Sequence, residues 1–168
     1  MVLIYLFHFP PMNFKDLLDY AGRLKRIKRT GWVVRGIPEP ESIADHSYRA
    51  ALLGYFLALE RGLDAGKVAG MLLVHDMGES LIGDITPEGE MFMEKIEAED
   101  KAMKFLADKI GSRKIYELWR EFNYGKSPEA ELAREVDKAE MAYQALEYSN
   151  MGFPIYRDML KYLPDYLK

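Results

Sequence analysis

The residues best able to do chemistry gather around a histidine and an aspartate that are adjacent in the sequence. His75 and Asp76 follow the apolar run 68–74, and His46, one of only three histidines, follows Asp45. Buried polar side chains need partners, because burying them unpaired costs free energy. Imidazoles and carboxylates together suit a borderline divalent ion such as Mn²⁺, Co²⁺, Fe²⁺ or Zn²⁺. These residues therefore predict either a metal site or a buried histidine–aspartate hydrogen bond.

Two further acids could complete such a site. Glu79 is four residues after His75 and three after Asp76, so it shares their face if the helical turn continues. Asp137 lies in the middle of a predicted helix, beside its apolar stripe. From position alone, the simpler interpretations are a solvated surface acid for Glu79 and an ion pair with Arg134 for Asp137.

The chain after His75 must loosen if a single metal is to use both His75 and Asp76. Adjacent residues on a regular helix point about 100° apart, and Gly78 and Gly83 make a looser backbone plausible. A short segment follows that either folds over a ligand or forms an ordinary turn before the next helix. It consists of Asp84, Ile85, Thr86 and Pro87.

A tryptophan between arginines follows the first predicted helix. Trp32 stands between Arg29 and Arg35 in a stretch, 22–36, that contains basic residues and no acid. The indole could stack on a nucleobase while an arginine binds phosphate. It could equally fill the core.

The periodicity of apolar residues predicts an all-α fold of six or seven helices in a single domain. Apolar positions expected in the core include Leu18, Tyr55, Phe56, Phe92 and Ile96. The predicted helices span about 14–28, 42–61, 64–75, 90–110, 113–123, 128–150 and 155–162.

Composition excludes some functions. The chain of 168 residues has a net charge of −4, which gives no reason to expect nucleic-acid binding. It has no cysteine, which excludes disulfides and thiolate nucleophiles and fits a cytoplasmic protein. Residues 1–11 form an apolar arm that is too short to span a bilayer and lacks signal-peptide features. We hypothesise that Met12 is the natural start, or that the arm docks onto a partner, and His8 within it is not expected to be a ligand.

Five motifs together resemble the HD-domain superfamily of metal-dependent phosphohydrolases. The similarity is closest to the 5′-deoxynucleotidase family, in its branch of HD domain-containing protein 2, and covers roughly residues 14–150. The motifs are at 29–37, 40–49, 75–79, 83–87 and 137–141.

The resemblance implies an HD-domain helical bundle at residues 12–168, built around one divalent metal ion per chain. It implies that Glu79 and Asp76 are the catalytic residues, with Glu79 handling the attacking water or the leaving group. The implied metal ligands are His46, His75, Asp76 and Asp137. The implied substrate contacts are Arg29, Trp32, Arg35, Asp84, Ile85, Thr86 and Pro87.

One motif departs from the family pattern. In the bacterial nucleotidases an adjacent arginine–tryptophan pair orients the phosphate and the sugar. Here two residues separate Arg29 from Trp32. The resemblance therefore leaves open whether Arg29 or Arg35 contacts the phosphate.

The implied activity is hydrolysis of deoxynucleoside 5′-monophosphates to deoxynucleoside and phosphate, by a homodimer. One alternative is another nucleotide phosphoester, such as a ribonucleotide, a cyclic dinucleotide or a nucleoside triphosphate. Another is a non-catalytic, metal-stabilised nucleotide-binding module. Glu79 disfavours this alternative, because a purely structural metal site does not need a free carboxylate at that position. RNA binding through 22–36 is disfavoured by the acidic net charge.

Overall fold

The computed structural model describes residues 11–92, 94–153 and 159–167, and within them the protein is all-α. Six helices have ten residues or more, and three segments are single turns of four residues. In these ranges no strand forms, and one isolated bridge joins Lys28 to Ser42. The elements are α1 (Phe14–Leu24), α2 (Thr30–Val33), α3 (Ile43–Glu60), α4 (Ala65–Val74), α5 (Glu79–Ile82), α6 (Pro87–Glu90), α7 (Lys95–Ile110), α8 (Arg113–Tyr124), α9 (Pro128–Asn150) and two 3₁₀ turns, Leu160–Tyr162 and Asp165–Leu167.

A capping box fixes the start of α3. The Ser42 hydroxyl accepts a hydrogen bond from the Asp45 backbone N–H at 3.1 Å, and the Asp45 carboxylate accepts the Ser42 N–H at 2.8 Å. This reciprocal pairing satisfies backbone donors that the first helical turn leaves without partners. His46 follows at once in the first turn, where it is fully buried.

Small residues let α3, α4 and α9 pack closely. A Cβ atom at Gly54 of α3 would collide with Leu72 of α4 and lie 3.0 Å from Val68. Ala50 and Ala58 lie four residues to either side of Gly54 and are fully buried in the same cluster as Val136 of α9. The close approach of these three helices determines how near His46, His75 and Asp137 can come.

The regular α-helical bonding of α4 ends at Val74, and the backbone then tightens where the glycines predicted that it would loosen. After Val74 the backbone N–H groups of Met77, Glu79 and Ser80 each bond to the carbonyl three residues earlier, which is the tighter 3₁₀ pattern. The segment ends at Gly83, whose φ of 80° is in the left-handed region that glycine adopts without strain.

Two predicted boundaries are wrong. The first helix ends at Leu24 rather than near 28, because Ile27 and Arg29 instead exchange backbone hydrogen bonds with 41–43. The helix expected at 90–110 is broken, since Thr86 caps a separate turn at Pro87–Glu90 and α7 begins only at Lys95.

Several residues predicted for the core are on the surface. Phe92 is 87% exposed in the break before α7, and Ile96 is 40% exposed. Leu18 of α1 is 70% exposed. Tyr55 and Phe56 are also exposed, because α3 buries its alanine and glycine face against α4 and α9 and turns these aromatics outward.

Some predictions lie outside the described residues. They include the N-terminal arm up to residue 10, with His8, and residues 154–158 of the last predicted helix, whose end forms the turn Leu160–Tyr162. The start at Met12 therefore stays a prediction. No helix in the described part of the chain is long and apolar enough to cross a membrane.

Candidate metal centre and its flanking cavities

The four predicted metal ligands converge on one point. His46 Nε2 lies 3.3 Å from His75 Nε2 and 3.1 Å from Asp137 Oδ1. His75 Nε2 lies 3.2 Å from Asp76 Oδ2 and 3.6 Å from Asp137 Oδ1. The start of α3, the end of α4 and the middle of α9 thus each contribute to a single cluster.

Both histidines present the same ring nitrogen to this cluster. His75 Nδ1 donates to the Leu72 carbonyl at 2.7 Å, and His46 Nδ1 contacts the Glu140 carboxylate. A neutral imidazole carries one proton, so a proton on Nδ1 leaves a lone pair on Nε2. A simple histidine–aspartate hydrogen bond does not account for two Nε2 atoms that face each other. Two imidazole nitrogens and two carboxylates fit a borderline divalent ion.

Charge balance supports the same conclusion. Burial lowers the pKa of His75, but the charge of Asp76 and the hydrogen bond to Asp137 outweigh it, and the net pKa lies well above the usual value. Burial raises the pKa of Asp137, yet hydrogen bonds from His46 and His75 bring it well below the usual value. The carboxylates thus attract positive charge into the cluster, which either protons or a metal ion can provide.

Asp137 and Glu79 are not the surface acids that position alone favoured. Arg134 donates instead to the backbone carbonyls of Phe122 and Gly125, which leaves Asp137 to the histidines. Glu79 is 1% exposed.

The Glu79 carboxyl lies in an unusual environment. Neither of its oxygens has a hydrogen-bond partner among the described residues, and Lys95 Nζ lies 3.8 Å from Oε1. Burial raises the pKa of Glu79 to about 10, and the negative charges of Asp76 and Asp84 add to the effect. Burial and the neighbouring negative charges therefore favour the neutral form of this carboxyl.

Two cavities flank the cluster. The larger of the two, about 410 Å³, is lined by His75, Asp76 and Asp137 and by the acids Glu90, Glu94 and Glu99. The smaller cavity, about 210 Å³, brings together six predicted substrate contacts, Arg29, Trp32, Arg35, Asp84, Ile85 and Thr86. Pro87, the seventh, begins α6, and its side chain lies outside the described structure.

Arg29 and Arg35 occupy different parts of the smaller cavity. Arg29 Nη1 donates to Asp76 Oδ2 at 3.1 Å, so its guanidinium adjoins the metal centre. Arg35 Nη1 donates to the Gly31 carbonyl at 2.7 Å, within its own turn.

Trp32 packs in the core, and its predicted contact with a substrate stays a prediction. It is 5% exposed, packs edge-on against Tyr148 at 5.3 Å, and donates from Nε1 to Glu41 Oε1 at 2.9 Å. It also lines the smaller cavity. Trp32 is thus a core residue that also borders the smaller cavity.

Lys95 and Glu140 are contacts of the site that the sequence reasoning missed. Lys95 lines both cavities and lies 3.6 Å from Glu99. Its position depends on the break before α7, which the continuous periodicity of 90–110 concealed. Glu140 lies in the motif at 137–141, three residues after Asp137. That spacing places the two acids on one helical face and could have indicated that Glu140 lies near the site.

Comparison with known proteins identifies the family. The HD domain family model matches residues 21–155. The chain belongs to the HD-domain family. This HD-domain protein is 39% identical over 148 residues to a Dictyostelium discoideum protein named 5′-deoxynucleotidase HDDC2, covering 81% of this chain and 77% of that one. The human protein of that name is 38% identical over 140 residues, covering 81% and 68%.

Solved structures agree with this assignment. A Pyrococcus horikoshii protein has a TM-score of 0.80 and 34% identity, covering 92% of this chain and 95% of that chain. A conserved hypothetical protein of Pyrococcus furiosus has a TM-score of 0.75 and 38% identity, covering 82% and 83%. The predicted resemblance and the all-α HD-domain fold are therefore confirmed.

Proposed function

We propose that this HD-domain protein is a metal-dependent phosphomonoesterase that hydrolyses deoxynucleoside 5′-monophosphates to deoxynucleoside and phosphate. The observation that carries the proposal is the convergence of two histidines and two aspartates beside a buried Glu79, whose oxygens accept no hydrogen bond from the described residues. Relatives of similar sequence that are named 5′-deoxynucleotidase support the choice of substrate.

The proposed cofactor is one divalent ion per chain, Mn²⁺, Co²⁺, Fe²⁺ or Zn²⁺, held by His46, His75, Asp76 and Asp137. Such an ion supplies Lewis-acid polarisation of a phosphate oxygen. Among the described residues His46 and His75 are the only histidines, which favours a single ion.

Glu79 is the proposed proton-transfer group. A buried carboxyl in its neutral form can protonate the departing 5′-oxygen of the sugar, and the resulting carboxylate can then accept a proton from the attacking water. Lys95 Nζ, 3.8 Å away, would stabilise the ionised form.

Basic residues between the cavities would hold the substrate phosphate. Arg29 adjoins Asp76 and lines the smaller cavity, and Lys95 lines both cavities, so both cations are placed to bind an anion beside the metal centre. The nucleoside would then extend into the smaller cavity, which Trp32 and Ile85 line.

Phosphate release tests the proposal. Protein treated with a chelator is given Mn²⁺ or Co²⁺ and each deoxynucleoside and ribonucleoside 5′-monophosphate, beside Glu79→Gln. We expect turnover that requires metal and falls by about 10²-fold or more in the variant, the scale of a lost acid–base group. Metal binding without turnover of any monophosphate would favour another phosphoester or a binding module.

A homodimer formed through α3 is also proposed. Tyr48, Leu52, Tyr55, Phe56 and Leu59 follow one face of α3 and are 41–66% exposed. Residues 50–59 contain no charged side chain. The face exposes on the order of 500 Å², a large part of the roughly 800 Å² that each partner buries in a stable interface. A second copy is a suitable occupant, because one apolar helix face can pair with itself about a two-fold axis.

Light scattering tests the dimer. Phe56→Glu should give a monomer at concentrations where the parent chain is a dimer, because a charge in an apolar interface is costly. Leu18→Glu, a substitution at an equally exposed leucine on α1, should leave the mass unchanged. A parent chain that is monomeric throughout would contradict the proposal. The cytoplasmic location stays a prediction of the sequence.

A further inference from the structure

We propose that Glu140 is a positioning residue that fixes the tautomer and ring orientation of His46 and thereby sets the affinity of the metal centre. This inference rests on the metal centre proposed above. It assigns a role to a buried carboxylate that the proposed chemistry does not otherwise use.

Two pairs of residues with the same spacing face each other across the α3–α9 contact. His46 and Arg49 are three residues apart on α3, and Asp137 and Glu140 are three residues apart on α9, so each pair lies on one helical face. His46 bridges the opposite pair, with Nε2 at 3.1 Å from Asp137 Oδ1 and Nδ1 against Glu140 Oε2. One ring thus joins the metal centre to Glu140.

A carboxylate at this position selects one form of the imidazole. An ionised carboxylate can only accept hydrogen bonds, so it favours the tautomer with its proton on Nδ1. That tautomer leaves the Nε2 lone pair directed at His75 and Asp137, where the metal would bind. Hydrogen bonds of this kind orient metal-binding histidines and increase their basicity.

Arg49 fixes the carboxylate in turn. Its Nε donates to Glu140 Oε1 at 2.6 Å, while Nη1 donates to Glu147 and Nη2 to Gln144, each at 2.6 Å. Glu140 is 1% exposed. The guanidinium therefore supplies the positive charge that a buried carboxylate needs and leaves the other oxygen for His46.

Two other roles for Glu140 must be separated from this one. It could serve only as an ion-pair link between α3 and α9. It could also form a second metal site, since ligand atoms of Glu41, His46 and Glu140 lie within 4.8 Å of one another. In this structure, however, Glu41 Oε1 accepts the Trp32 indole N–H at 2.9 Å, and His46 Nδ1 is already bound to Glu140.

The substitution Glu140→Gln tests the proposal, because both neighbours of this side chain are donors. An amide offers one acceptor oxygen and one donor NH₂, so it cannot satisfy Arg49 and His46 together. When the NH₂ group faces His46, Nδ1 must accept, and the ring proton moves to Nε2, the ligand atom.

Two readouts on metal-free protein follow. Calorimetric titration with Co²⁺ or Zn²⁺ should show one site per chain and a 10–100-fold weaker affinity in Glu140→Gln, the usual effect of removing such a partner. Ring-¹⁵N NMR, with His46 assigned through His46→Gln and recorded at alkaline pH so that the ring carries a single proton, should show the Nδ1–H form in the parent chain and a shift toward Nε2–H in the variant.

Matched variants distinguish positioning from a structural link. Glu147→Gln removes the other carboxylate on Arg49 but leaves Glu140, and it should bind metal within about 2-fold of the parent. Glu140→Asp keeps an acceptor-only side chain and should recover part of the affinity that Glu140→Gln loses, which tests the proposal even if Glu140→Gln fails to fold.

Several outcomes would overturn the inference. They are parent-like affinity and tautomer in a folded Glu140→Gln, losses in Glu140→Asp as large as in Glu140→Gln, or two metal ions per chain. Neither readout requires turnover, so an inactive but metal-binding protein would refute the proposed phosphomonoesterase alone. A parent chain that binds no metal would refute both.

Discussion

The metal centre and the smaller cavity are held in place by different means. The ligand residues lie on or at the end of helices of 10 to 23 residues whose small side chains are fully buried. The wall of the smaller cavity comes largely from single turns and loops, α2, α6 and 84–86, joined by individual hydrogen bonds such as Trp32 Nε1 to Glu41. Packed helices allow little movement, because the interior is close to crystal density. A wall built of turns can accommodate a different sequence spacing of its residues, as the two residues between Arg29 and Trp32 illustrate.

The largest expected effect is the loss of a ligand from the packed helices. Asp137→Asn removes one negative charge next to both histidines and should weaken Co²⁺ binding by more than about 100-fold, beyond the loss of an outer partner. Calorimetric titration measures it. The control Glu135→Gln, in an exposed pair with Arg61 on the same helix, should bind as the parent does. Equal affinities for all three proteins would mean that Asp137 is not a ligand.

A change in the helix packing, far from the ligands, should come next. Gly54→Ala puts a methyl group into Leu72 and should cost about 1–3 kcal/mol of unfolding free energy, as overpacked cores do. Urea denaturation measures this cost, and metal affinity should fall with it because α3 and α4 must separate. At Gly22 of α1 an added Cβ meets nothing within 4 Å, so Gly22→Ala should be neutral or stabilising. Destabilisation by Gly22→Ala but not Gly54→Ala would contradict this account.

A change between the two cavities should affect the substrate and spare the metal. Lys95→Gln removes a cation that lines both cavities, and we expect KM for a deoxynucleoside monophosphate to rise about 10-fold, as for one charged hydrogen bond. Co²⁺ affinity should stay unchanged. Lys101→Gln, on the exposed face of α7, is the control. An unchanged KM would remove Lys95 from the phosphate site.

A different kind of effect, on stability alone, concerns pH and the buried Glu79. Because its pKa is about 10 in the folded protein against an ordinary 4.5, its contribution to stability is complete below about pH 4.5 and is lost as pH rises toward 10. In chelator, the unfolding free energy of the parent should therefore decline relative to Glu79→Gln between pH 5 and pH 8, by roughly 1.4 kcal/mol per pH unit and by up to about 4 kcal/mol in all. Urea denaturation across this range measures it. Parallel profiles would show that the Glu79 pKa is ordinary.

Part of the site could be predicted from local signals. The capping box places His46, the glycines indicate a departure from the regular α-helix after His75, and the serine–proline start at 127–128 fixes α9. Glu79 and Asp137 could not be assigned from position, since local spacing does not distinguish a solvated acid from a buried one. The resemblance to the HD-domain family, rather than periodicity, singled them out.

The sequence by itself determined the all-α class, the main helices and the residue types capable of binding a metal, because these depend on local periodicity, caps and side-chain chemistry. Only the tertiary structure decided which acids are buried, that Tyr55 and Phe56 face outward, and that Lys95 and Glu140 adjoin the site. The physical reason is that burial and contact depend on how α3, α4, α7 and α9 pack. Residues 46 and 140 are 94 positions apart, and no local pattern relates them.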